Sequence, residues 1–145
     1  MRGVTLLEVL RKGAKMKKEI ILSEKLARPR GIYSQAVKAE GNRLLFISGM
    51  TARDKEGNIV GKGDIKAQTR QVLENIKGAL EKAGATFDQI VKVTVYVTNM
   101  SHFSEIHEIR AQYFEKDYPA STMVQVSGLV SKDLLIEIDA IALLD

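Results

Sequence analysis

The chain predicts an α+β fold, a mixed β-sheet covered on one face by two helices, and three observations carry that expectation. Residues 90–98 alternate strictly, with Val91, Val93, Val95 and Val97 on one face and Lys92, Thr94, Tyr96 and Thr98 on the other. That is the two-residue period of a strand with one buried side. Residues 64–83 instead place Ile65, Thr69, Val72, Ile76, Ala79, Leu80 and Ala83 at three- and four-residue spacing ahead of Gly84, the signature of an amphipathic helix with a glycine stop. Strand-type segments lie on both sides of these two elements, so the order reads β, β, β, α, β, α, β, β. Helices separated by strands in one short chain suggest a single layered sheet.

Taken in order, Lys18 to Leu22 is a short strand candidate, and the ARPRGIY stretch from Ala27 to Tyr33 is a loop. Pro29 restricts Arg28 to extended conformations there. Segments 34–40 and 43–50 flank Gly41-Asn42, a two-residue turn signal that predicts a hairpin. Residues 51–63 hold three glycines with Asp54, Lys55, Glu56 and Asn58, and read as an exposed loop. The second helix is expected from Ser101, as N-cap, to about Lys116, with Phe103, Ile106, Arg110, Tyr113 and Phe114 near one stripe. Two closing strands, 122–126 and 135–143, complete a second hairpin. The face of the sheet away from the helices would carry Tyr96, Met123, Leu135 and Ile141, too apolar for water, so a partner should cover it.

The 145 residues suit one domain, 16–145, preceded by an extension, 1–15. In the extension Thr5 and Glu8 have capping-box spacing and Gly13 could end a two-turn helix. Either that segment is a short docked helix or Met16 is the initiator; the residues leave both open. Charge is uneven. Residues 1–30 hold nine Lys/Arg against three Glu, a net of +6 in a chain whose total is +4, so the remainder carries −2. The basic character belongs to the N-terminal segment and not to a folded face, which argues against nucleic acid as a partner. No apolar run reaches the ~18 residues of a membrane span. The chain has no cysteine, which excludes thiol chemistry and zinc-thiolate sites and is compatible with a cytoplasmic location.

In the last segment Glu137 and Asp139 alternate with Ile136, Ile138 and Ala140. Both carboxylates then point to one face of an otherwise apolar strand. A carboxylate in such a run is expensive without a partner or a task, which marks a site or, more plainly, a strand rim.

The stretch PASTMVQV, followed by a loop and IEIDAIA, resembles the closing signature of the RidA/YjgF/UK114 family, imine-deaminase-like proteins. The usual form there is P-A-R-[ST]-x-V-x-V, then I-E-I-E-A-I-A. The resemblance extends over about residues 17–143 and implies a chorismate-mutase-like fold. It also implies a homotrimer around a central β-barrel, with ligand clefts between subunits. By resemblance Glu137 is the catalytic glutamate that helps hold the attacking water. Tyr33 in GIYSQ lines the pocket, or is a loop aromatic packing on the core. Ser48 and Gly49 in FISGM offer backbone to the bound acid, or mark a bulge at a strand end. His107 takes a position where many relatives carry asparagine, and a lone histidine there is more often structural. Thr122 and Met123 follow in the closing signature.

One position departs. Where relatives carry the arginine that grips the substrate carboxylate, this chain has Ser121. Losing a bidentate charged pair removes bonds of roughly 1.5–3 kcal/mol each. Arg53, which follows the SGMTA run, is an alternative cation that could reach the cleft from the neighbouring loop. The expected function is hydrolysis of a reactive enamine or imine other than the common 2-imino acids, giving a carbonyl compound and ammonia. No metal or organic cofactor is required. A non-catalytic ligand-binding trimer is the alternative. An endoribonuclease, a name also attached to this family, is the third reading and has no paired histidines or aromatic platform behind it.

Overall fold

The computed structural model describes residues 15–145. The helix expected within the extension falls on residues 1–14, outside the described residues. The elements are β1 (Lys17–Ile21), β2 (Ala36–Glu40), β3 (Arg43–Thr51), α1 (Ile65–Lys82), β4 (Ile90–Val97), α2 (Phe103–Arg110), β5 (Ala120–Gln125) and β6 (Ile136–Leu144). Short 3₁₀ turns at Phe87–Gln89 and Met100–His102 precede β4 and α2.

The main sheet has the order β3-β6-β4-β5. It is mixed, because β4 and β5 run parallel while β6 is antiparallel to both β3 and β4. The two closing strands are therefore not a hairpin: β4 separates them. The parallel β4–β5 pair needs a crossover, and α2 supplies it. The other expected hairpin also fails. β2 pairs with β1 in a separate two-stranded sheet, and β3 pairs with β6. Gly41-Asn42 is a corner between sheets. The Asn42 N–H donates to the Leu144 carbonyl (3.0 Å), and a Cβ at Gly41 would sit 2.7 Å from both Leu143 and that carbonyl. The glycine is there for close approach to β6 rather than for a tight turn.

Burial follows the register. Val93, Val95 and Val97 of β4 and Ile136, Ile138, Ala140 and Ala142 of β6 face Val72, Leu73, Ile76 and Leu80 of α1 and Ile106 and Ile109 of α2 in one core. Each fully buried Val, Leu or Ile among them contributes about 1.5–3 kcal/mol relative to exposure. The alternation of β4 breaks at its start: Ile90 is buried and Val91 is only half-buried, because the ladder slips between Ile90 and Lys92.

Helix α1 ends as its sequence demands. Asp64 caps the N-terminus by accepting from the Ala67 N–H (3.0 Å). Gly84, at φ +73°, closes the other end. There Ala85 N–H donates to Leu80 O and Gly84 N–H to Glu81 O, the Schellman pattern. Helix α2 is shorter than its stripe implied. Asn99, not Ser101, caps the 3₁₀ turn before it by accepting from Ser101 N–H, and regular helix stops at Arg110.

The face of the sheet away from the helices carries Leu44 and Phe46 of β3, Ile141 and Leu143 of β6, Tyr96 of β4 and Val124 of β5. Phe46 is 70% exposed. The unpartnered apolar face is thus present, with a corrected membership. Met123, level with the buried Val95, points to the helix side, and Leu135, just ahead of β6, packs against the core. No helix among the described residues is long and apolar enough to cross a membrane.

Candidate functional site

The residues singled out from the sequence assemble into two clusters on opposite faces of the sheet. The first is on the outer face. The β3–β6 ladder slips between Ile47 and Met50, so Ser48-Gly49 forms a bulge. The Glu137 side chain lies directly over Gly49, and a Cβ at position 49 would overlap its Oε1. Glycine is required here by that approach, and the bulge and the ligand-facing backbone are one feature. Asp139 shares the face and accepts a hydrogen bond from the Tyr96 hydroxyl (3.0 Å). That bond, with the nearby carboxylate charge, raises the Tyr96 pKa. Thr122 lies on this face too, where its hydroxyl is bonded by Lys92 Nζ (2.8 Å).

Two amides, the buried Gln68 and the half-buried Asn75, hold this cluster in place. Gln68 of α1 donates to the carbonyls of Gly61 and Asp133 and accepts from the Leu135 N–H (2.8 Å), fixing the entry of β6 two residues before Glu137. Asn75 donates to the carbonyls of Thr51 and Arg53, fixing the end of β3 just past the bulge.

The second cluster is on the helix side, at the edge strand β5. Ser34 docks the Gly31–Ser34 loop onto the start of β5: its N–H donates to Pro119 O (3.0 Å) and its hydroxyl to Tyr118 O (2.5 Å). Tyr33 and Gly31 thereby line a hollow of about 310 Å³ with Pro29, Ser34 and Tyr118. His107 stacks on Phe103 with ring centroids 4.0 Å apart, and its Nε2 occupies the space a Cβ at Gly31 would need. Desolvation first, and the Arg110 charge second, lower its pKa, so the imidazole is neutral at neutral pH. His102 is apart from it, bonded to Glu105.

Ser121 is level with Val93 and so faces the helices. Its Oγ accepts a hydrogen bond from Nη2 of Arg110 (3.2 Å), which also donates to the Ile32 carbonyl (3.0 Å). Arg110 is only 2% exposed. Among the described residues no carboxylate pairs with it, and its Nε is buried without a hydrogen-bond partner. Burial lowers its pKa to about 10, which still leaves it charged at neutral pH. The Phe114 ring, 5.8 Å from the guanidinium carbon, offsets part of the cost. A cation–π contact is worth about 0.5–2 kcal/mol, against several kcal/mol for taking a cation out of water.

This cation is what sequence reasoning missed. Arg110 was visible as a charge in the apolar stripe of α2, but only the fold puts it beside position 121. Arg53, the expected alternative, is committed elsewhere: its Nη1 donates to Gly57 O in its own loop (2.7 Å). Within one chain, then, Ser48, Gly49, Thr122 and Glu137 are together on the outer face. Tyr33, His107, Ser121 and Met123 lie on the other side of the sheet or at its edge.

This α+β architecture, with a glycine bulge under a strand carboxylate, defines the class. The family model described as Endoribonuclease L-PSP matches residues 24–144, and the chain belongs to that family. It is 51% identical to a RutC family protein of Pyrococcus horikoshii over 125 residues, 86% of this chain and 97% of that one. Among solved structures, the Rid family protein YyfB of Yersinia pestis has a TM-score of 0.82 at 36% identity, covering 88% of this chain and 98% of that one. A Mycobacterium tuberculosis member of the YjgF/YER057c/UK114 family has a TM-score of 0.63 at 40% identity, covering 77% and 86%.

Proposed function

We propose that this protein hydrolyses a reactive enamine or imine to a carbonyl compound and ammonia, in clefts between the subunits of a homotrimer. The observation that carries the reading is the Glu137 carboxylate held over the bare backbone of Gly49. A carboxylate in that position accepts a proton from water as the water oxygen bonds to the imine carbon. The C=N π electrons move to nitrogen, which takes the proton Glu137 has accepted, giving a neutral carbinolamine. Glu137 then accepts the carbinolamine's hydroxyl proton as C=O forms and the C–N bond breaks, and passes it to the departing nitrogen, which leaves as ammonia. An enamine enters the same path after tautomerising to the imine. The electrophile is present in the substrate, and Glu137 carries each proton of the imine hydrolysis in turn.

Two features support a site between copies. The two clusters lie on opposite faces, and the outer face exposes Leu44, Phe46 and Val124, an apolar surface suited to a second copy. Ser121 in place of arginine favours a substrate other than the common 2-imino acids, or a different grip on the acid. The same departure is what favours the second reading, a trimer that binds small ligands without turning them over. The family's endoribonuclease description has little behind it here: His107 is neutral and packed, and His102 is tied to Glu105.

The test is ammonia release from freshly generated 2-iminobutyrate and 2-aminoacrylate. Release above the spontaneous rate supports hydrolysis. A rate equal to the blank, for a protein that still binds the carbonyl product, supports the binding module.

A further inference from the structure

We propose that Asp139, oriented by the Tyr96 hydroxyl, receives the N–H of the substrate's C=N group and so favours an imine over the carbonyl it becomes. This rests on the hydrolytic reading above and adds to it the residue that recognises the reacting nitrogen.

Two observations and one chemical constraint converge. Glu137 and Asp139 are successive outer-face residues of β6, both half-buried, so their Cα atoms lie about 6.5–7 Å apart along the strand. Tyr96 stands opposite Glu137 on β4, and its hydroxyl reaches diagonally to donate to Asp139 Oδ2 (3.0 Å). That bond fixes the second carboxylate beside the first. Secondly, the rest of Asp139 is unspent. Among the described residues its Oδ1 accepts no hydrogen bond, and neither Asp139 nor Glu137 is in an ion pair. Lys92, on the same face, is bonded to the Thr122 hydroxyl and the Val93 carbonyl instead. The constraint is that an ionised carboxylate accepts hydrogen bonds and donates none. An imine C=N–H and a carbinolamine NH₂ each have an N–H to give it, whereas a carbonyl oxygen has none and faces a negative charge. With the water held at Glu137, a C=N bond lying along β6 brings its nitrogen toward Asp139. A purely structural Asp139 would need only to accept from Tyr96, which an asparagine does without a second charge beside Glu137.

Binding is measured by calorimetric titration of the full chain with propionamidine, a stable C=N compound that keeps its N–H donors. 2-Butanone is the carbonyl counterpart of the same size, with no N–H. We expect wild type to bind propionamidine at least about tenfold more tightly than 2-butanone. Asp139→Asn still accepts from Tyr96 but turns an NH₂ toward the ligand, so it should weaken propionamidine at least about tenfold without weakening 2-butanone. Tyr96→Phe keeps the charge and loses its orientation, and should weaken propionamidine severalfold, again without weakening 2-butanone. A general structural loss would weaken both ligands together. Equal propionamidine affinity in wild type and folded Asp139→Asn, or in wild type and folded Tyr96→Phe, overturns the proposal. So does no binding by wild type at millimolar propionamidine, or a parallel loss of both ligands in either variant. Because binding is read without turnover, the two readings fail separately. Asp139-dependent propionamidine binding with no ammonia release removes hydrolysis and keeps the nitrogen site. Ammonia released by Asp139→Asn with wild-type kcat/KM does the reverse.

Discussion

Arg110 Nη2 donates to Ser121 Oγ across 3.2 Å, from the last turn of α2 to the edge strand of the sheet. A cation is therefore already present beside the position where the family pattern places one, and adding a second is costly. Ser121→Arg alone should lower stability by about 1–3 kcal/mol, because the larger side chain overpacks the site and brings two guanidinium groups together. It should not improve turnover of an acidic imine. Urea denaturation alongside the ammonia assay checks both parts, and a stable, faster Ser121→Arg enzyme would contradict the placement of Arg110.

Gly49→Ala tests the outer cluster. The new Cβ overlaps Glu137 Oε1, so the carboxylate must swing away. Gly49 does not need a left-handed backbone, so the chain can still follow the bulge. We expect near-normal melting and a fall in kcat of about 10² or more, the usual worth of a positioned acid–base group. Wild-type kcat in Gly49→Ala would detach Glu137 from the chemistry.

The pH dependence of stability has a definite sign at His107. Burial and Arg110 lower its folded pKa, while in the unfolded chain it titrates near ~6.5. Above that value the imidazole is neutral in both states. As pH falls through it, the unfolded chain takes up the proton first, so stability is lost. The melting temperature should drop between about pH 7 and pH 5, and His107→Gln should flatten that slope.

Phe46 is 70% exposed on the outer face, next to Leu44. Phe46→Glu should leave the helix-side core untouched and break the assembly. Light scattering should give three times the 16.1 kDa chain mass for wild type and a smaller species for the variant.

Much of this was legible in the chain. The alternation of residues 90–98 gave β4 its buried face, and the three-and-four spacing with Asp64 and Gly84 gave α1 both its ends. Glu137 stood out because a carboxylate among isoleucines needs a reason. What was not legible is non-local. Nothing in residues 120–125 says that they pair with β4 and not with β6, so the closing hairpin was a wrong expectation. Gly41-Asn42 carries a turn signal, yet the glycine answers to the end of β6, a hundred residues away. Arg110 sat in an apolar stripe in plain view, but its importance comes from Ser121, which only the β4–β5 register brings alongside.

The Glu137 and Arg110–Ser121 clusters lie on opposite faces of one sheet, so the proposed hydrolysis would draw one cluster from each of two neighbouring chains. Subunit complementation tests it most directly. Glu137→Gln and Arg110→Met proteins, each impaired alone, are mixed at equal concentration, allowed to exchange, and assayed for ammonia release. If each cleft draws one cluster from each of two neighbours, random exchange rebuilds about a quarter of the clefts with both groups intact, and activity returns toward that share of wild type. Mixed assemblies, verified by mass, that stay as inactive as the separate variants would contradict the account.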